Sequence, residues 1–264
     1  LCPVFNRRDC LCIDFRSHHN GNPEKNSLFL LPGSCAHPEN YFGGIREYLE
    51  KFYNVFRVGY TGFNKTENTD FVSVTDEAEK DNLDGKIHGI LACGEGTKIA
   101  ALLLDRGNIK IEKCVLDGGE MEYAEGFFGK VAMKNKIKST YKLLHEGQLP
   151  KNLKNYLLDD KSGYYKKYTG LIGYESHKNM SFVTEKSVEN FITSAMTEKP
   201  KEKIISDRDI SIIYYTKMGE VLKQRYEKFF PTANVMAFEY DDEELLCMYP
   251  KPMSIVLRRC TGDL

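Results

Sequence analysis

Thiols, imidazoles and carboxylates are the side chains of this sequence that could carry chemistry, and few of them stand at working intervals. Cys35 and His37 flank a single alanine in the small-residue loop Pro32-Gly33-Ser34-Cys35-Ala36-His37-Pro38. A thiol beside an imidazole suits thiolate attack, because the base can take the thiol proton. Cys93 precedes Gly94-Glu95-Gly96 in the stretch from Lys86 to Leu104, KIHGILACGEGTKIAALLL. Adjacent residues of so tight a turn point in different directions, so Cys93 is expected to pack into the scaffold while Gly94, which has nothing to attack with, faces outward. His177 is either a surface histidine or a base reaching toward Glu95 or Asp117. His18-His19 and Cys10-Leu11-Cys12 lack the second set of ligands at knuckle spacing that zinc requires, so neither a metal nor a cofactor is expected.

The elements that must hold these residues follow from hydropathy patterning. Unbroken apolar runs at Ser27–Leu31, Val55–Tyr60, Ile87–Ala92, Ile109–Leu116, Asp209–Tyr215 and Asn234–Tyr240 read as strands of a sheet covered on both faces. Between them, 3.6-residue patterning and stop signals predict helices over Tyr41–Phe52, Ser73–Asn82, Glu95–Leu104 and Glu220–Phe230. The first 20 residues alternate loosely, as in an edge hairpin. Alternation of strand and helix with right-handed crossovers gives a mostly parallel sheet.

After Gly119 the pattern changes. Helix-like segments at Phe127–Leu144, Leu149–Leu158 and Val188–Met196 are laced with lysine and tyrosine, and no core strand appears before Asp209. The expected organisation is a core of residues 1–119 and 207–264 with a helical cap inserted at 120–206. Lys130, Lys134, Lys136, Lys138 and Lys142 read as a solvated helix face. Pro250 and Pro252 break the last helical stretch, which ends near Arg259.

The chain has 264 residues, and 37 Lys plus Arg against 38 Asp plus Glu leave a net charge of -1, so no nucleic-acid partner is implied. Eight irregularly spaced cysteines are too few for a disulfide scaffold. No secretory leader is read at the start, which sets the expectation of a reducing cytoplasm. Apolar runs are too short for a membrane-spanning helix.

Two motifs carry a resemblance. Leu28-Phe29-Leu30-Leu31-Pro32-Gly33-Ser34 looks like the strand and oxyanion loop of the α/β-hydrolase superfamily, and Lys86 to Leu104 looks like its nucleophile elbow. The order of elements is most similar to capped lipase- or esterase-like members. The resemblance implies a three-layer α/β fold, a mostly parallel sheet of about seven to eight strands, and an inserted helical cap. It also implies oxyanion-loop roles at Gly33, Ser34 and Glu95. Read alone, Gly94 and Gly96 suggest a phosphate loop, but the third glycine of such a loop is missing.

The family pattern at the elbow is small, any, nucleophile, any, small, which Ala92, Cys93, Gly94, Glu95 and Gly96 fill in order. The nucleophile position is therefore Gly94. The acid position falls at Met218, with Glu220 the alternative register, and the base position at Asp242. No histidine follows His177. A hydrolytic triad needs nucleophile, base and orienting acid together, so conventional Ser-His-Asp hydrolysis is not expected. The leading expectation is a pseudoenzyme that binds a small, partly apolar ligand or a protein partner through the cleft above Gly94. An enzyme with displaced residues, Cys35 and His37 acting on a small ester or thioester, is the alternative. A structural partner or homodimer is the third reading.

Overall fold

The structure, a computed structural model, describes residues 24–33, 38–57, 86–123, 126–148, 183–200, 203–204, 209–216, 219–239 and 249–263. The N-terminal hairpin, the helices expected at Ser73–Asn82 and Leu149–Leu158, and His18-His19 lie outside these residues.

Among the described residues six strands form one sheet: β1 (Ser27–Leu31), β2 (Asn54–Arg57), β3 (Lys86–Cys93), β4 (Lys110–Asp117), β5 (Asp209–Tyr215) and β6 (Asn234–Phe238), in the order β2-β1-β3-β4-β5-β6. Every adjacent pair is parallel. Parallel neighbours need crossover connections, which put helices on the sheet's faces and account for strands with no polar side. Thus Leu28, Phe29, Leu30 and Leu31 of β1 and Ile87, Ile90, Leu91 and Ala92 of β3 are all buried.

The helices are α1 (Pro38–Leu49), α2 (Gly96–Arg106), α3 (Gly126–Glu146), α4 (Glu185–Thr197), α5 (Glu220–Phe229) and α6 (Pro250–Thr261). Helix α1 starts earlier than its apolar face suggested, because Pro38 suits a first helical position where no N–H is needed. For the same reason Pro250 opens α6 instead of breaking it. Helix α2 is buried from Gly96 through Leu104, as a helix apolar on almost every side must be. It stops at Gly107, whose left-handed φ of 68° lets its N–H return to Leu103 O.

Helices α3 and α4 both lie between β4 and β5 in the chain and pack on one another. Helix α4 buries Val188, Phe191, Ile192 and Ala195, and its first turn is capped by the Thr184 hydroxyl, which accepts from Ser187 N. Helix α3 buries Gly129, Thr140, Leu143 and Leu144. Its lysines do not form the uniform solvated face expected of them. Lys130, Lys134 and Lys138 are exposed, whereas Lys136 turns inward and pairs with Glu95. The 3.6-residue period puts position 136 on the same side as Gly129, Thr140 and Leu143, and a buried carboxylate there supplies the partner that an inward lysine requires.

Candidate functional site

Strand β3 passes into α2 through Gly94 and Glu95 with no other connecting residue. Gly94 has φ 50°, in the left-handed region that side chains resist. Its N–H donates to Asp117 O at 3.2 Å, and its carbonyl accepts from Thr97 N at 3.1 Å and from the Thr97 hydroxyl at 2.6 Å. The turn is thus tied on one side to β4 and on the other to the first turn of α2.

Two further glycines are required by contact. A Cβ on Gly96 would stand 2.5 Å from Leu31 O and 2.6 Å from Pro32 O, at the end of β1. A Cβ on Gly119, which has φ 82°, would stand 2.2 Å from Gly94 O and 2.3 Å from the Thr97 hydroxyl. The elbow is therefore held between the backbone after β1 and the backbone after β4. Gly33, after β1, is buried.

Below the turn, the last residues of three adjacent strands form a polar row. Cys93 closes β3, Asp117 closes β4 and Tyr215 closes β5. The Tyr215 hydroxyl donates to Asp117 Oδ1 at 2.5 Å, and the Cys93 thiol donates to Oδ2 at 3.7 Å. All three residues are fully buried. Cys93 is thereby withdrawn from any attack on a solvent-borne substrate, since thiolate chemistry needs access. The Tyr226 hydroxyl donates to Gly119 O at 2.5 Å, which adds α5 to the support of this edge.

On the other side of the elbow a second cluster joins α2 to the helices that follow β4. Glu95, buried at the N-cap of α2, carries no capping hydrogen bond of its own and pairs with Lys136 of α3. Lys136 also donates to the Tyr123 hydroxyl at 3.3 Å. Lys98, in the first turn of α2, is fully buried and donates to Ala195 O of α4 at 2.5 Å. The ammonium groups of Lys98 and Lys136 lie 4.9 and 5.3 Å from the Tyr123 ring centroid, within cation–π range.

The two lysines respond in opposite senses. Burial lowers the Lys98 pKa to about 8 despite the attraction of Glu95. Burial acts the same way on Lys136, but the charge of Glu95 and the Tyr123 hydroxyl overcome it, and the pKa rises. Burial, reinforced by the charge of Glu95, holds the Tyr123 phenol neutral well above its ordinary range.

Of the residues singled out by sequence, Gly94, Glu95, Cys93, Asp117 and Gly33 are described and placed as above. Ser34, Cys35, His37, His177, Met218 and Asp242 lie outside the described residues. Glu220, the alternative acid register, begins α5, is exposed and pairs with Lys223 at 3.4 Å. The carboxylates offered as partners for His177 are engaged elsewhere, Glu95 by Lys136 and Asp117 by Tyr215 and Cys93. The polar row and the lysine cluster were not anticipated. Lys98 did leave a signal, as the one charged residue in the run Thr97-Lys98-Ile99-Ala100-Ala101-Leu102-Leu103-Leu104. Among the described residues no group of His, Cys, Asp and Glu could hold a metal ion.

No family profile and no curated protein matches the chain. Solved structures do match. A protein assigned to the alpha/beta hydrolase family from Desulfitobacterium hafniense is 16% identical with a TM-score of 0.71, over 90% of this chain and 97% of that one. MenH from S. aureus is 13% identical with a TM-score of 0.65, over 93% and 97% of the two chains. The fold is that of the α/β hydrolases. The bottromycin epimerase BotH, 10% identical, shares it at a TM-score of 0.59 over 93% and 92% of the chains. In this chain β3 passes into α2 through a tight turn at Gly94. No described helix is long and apolar enough to cross a membrane.

Proposed function

We propose that this protein is a non-catalytic member of the α/β-hydrolase fold that binds a small, partly apolar ligand in a cleft above Gly94. In this reading α3 and α4 belong to a helical cap spanning residues 120–206. The observation that carries it is Gly94 itself: the elbow's close-packing glycines and hydrogen bonds are retained while the position of attack has no side chain. The base position supports the same reading, because no histidine follows His177 in the sequence. A neighbour named as an epimerase is consistent with the fold serving chemistry other than ester hydrolysis.

The purified protein is expected to hydrolyse short-chain p-nitrophenyl esters and acyl thioesters no faster than buffer does. Thermal-shift titration with short-chain carboxylic acids and their methyl esters is expected to raise the melting temperature. Gly94→Ala, which puts a side chain at the position the ligand is proposed to cover, is expected to weaken that shift, with the melting temperature of the unliganded variant checking that it still folds. Turnover above background that is lost on substitution of Cys35 or His37 overturns the proposal in favour of a displaced enzyme.

A further inference from the structure

Helix α3 carries a surface that the elbow does not explain. At its N-terminal end Phe127 and Phe128 are 76% and 82% exposed, and Val131, one turn on, is 43% exposed. Large aromatic side chains so open to water, grouped on one helix end, mark a contact surface. Exposed lysines share this side of the helix: Lys130 stands among the apolar residues, where its long side chain can reach back to the surface, and Lys134 and Lys138 follow beyond them at helical spacing. From Gly126 to His145 the helix contains no acidic residue, and its first turn has none to offset the positive end of the helix dipole.

We infer that the N-terminal half of α3 docks on an anionic lipid surface. The apolar and basic residues are separated along the helix more than around it. Lys134 and Lys138 stand roughly 10 and 16 Å along the axis from Phe127. That separation matches a helix end whose aromatic rings enter the acyl boundary, about 5–10 Å deep, while the lysines remain at the headgroups.

Charge selects this occupant over the others. A second copy packing its own α3 on this one would cover the phenylalanines, but that helix has no acidic residue before Glu146 to pair with the lysines. A soluble polyanion would satisfy the lysines but leave the phenylalanine pair without an apolar medium. The proposal is independent of the reading of the Gly94 cleft.

The chain contains no tryptophan, so Phe128→Trp places a single fluorescent reporter on the surface in question. With this variant, vesicles of phosphatidylcholine containing about one third phosphatidylserine are expected to shift the emission to the blue, and brominated lipid is expected to quench it. Pure phosphatidylcholine is expected to do neither. In flotation, the unmodified protein rises with anionic vesicles alone. Lys134→Gln and Lys138→Gln each lower partitioning roughly fivefold, and Phe127→Ser with Phe128→Ser abolishes it.

Equal response to neutral and anionic vesicles, or no response to either, overturns the proposal. Binding to heparin or RNA without vesicle binding also overturns it and assigns the face to a soluble polyanion. A dimer that the double serine variant dissociates, seen by sedimentation, assigns it to a second copy.

Discussion

Lys98 shows how a single buried charge leaves a signature in bulk stability. Its folded pKa of about 8 lies below the unfolded value of 10.5. Between those values the unfolded chain holds a proton that the folded chain lacks, so raising the pH favours folding. Below pH 8 both states are protonated and the cost of burying the ammonium stays constant. Urea unfolding from pH 8 to 10.5 should therefore include a stabilising contribution on the order of 2–3 kcal/mol. In Lys98→Met that contribution should vanish, so subtracting the two pH profiles isolates it. A flat difference between the profiles would mean that the amine is hydrated in the folded protein. The neighbouring Lys136 gives no such rise, because Glu95 holds its proton more firmly than water does.

The elbow and the helix that follows it make separable demands on their glycines, and substitution can tell them apart. Gly107 has φ 68° with nothing within 4 Å of a Cβ, so Gly107→Ala tests the left-handed conformation alone and should cost about 1 kcal/mol. Gly96→Ala tests crowding against Leu31 O and Pro32 O. Gly119→Ala meets both demands at once, and should lose about 3 kcal/mol or more in urea denaturation. If Gly119→Ala matched Gly107→Ala, the close approach to Gly94 O would be relieved by a small backbone shift.

These glycines were legible in the sequence because tight turns leave small residues at fixed offsets from apolar strands. Asp209–Tyr215 was legible for its unbroken apolar run. Lys136 was not, because a lysine among lysines reads as solvated until its carboxylate partner, 41 positions earlier, is brought to it by the fold. The row formed by Cys93, Asp117 and Tyr215 was hidden for the same reason. Register across three strands decides which strand ends meet, and no local pattern encodes that meeting.

Across the molecule, the C-terminal end of α6 is pinned to the start of β2 beside the sheet. The Tyr53 hydroxyl donates to Asp263 Oδ2 at 2.5 Å and lies 2.6 Å from the Thr261 hydroxyl. Arg258 donates to the Asp263 backbone carbonyl at 2.8 Å, and His88 Nε2 approaches the Asp263 carboxylate at 3.8 Å. Asp263→Ala should lower global stability by about 1–2 kcal/mol in equilibrium denaturation, as loss of a charge-assisted hydrogen bond predicts. An unchanged midpoint would show that Thr261 alone satisfies Tyr53. The order β2-β1-β3-β4-β5-β6 also dictates how the chain must be made. Strands β1 to β4 are complete by Asp117, and the next strand to pair with β4 begins at Asp209, about ninety residues later. At a synthesis rate of about 5–20 residues per second, the paired edge of β4 stays open for roughly 5–20 seconds. A nascent chain of this protein therefore offers an unpaired parallel edge ending in Asp117.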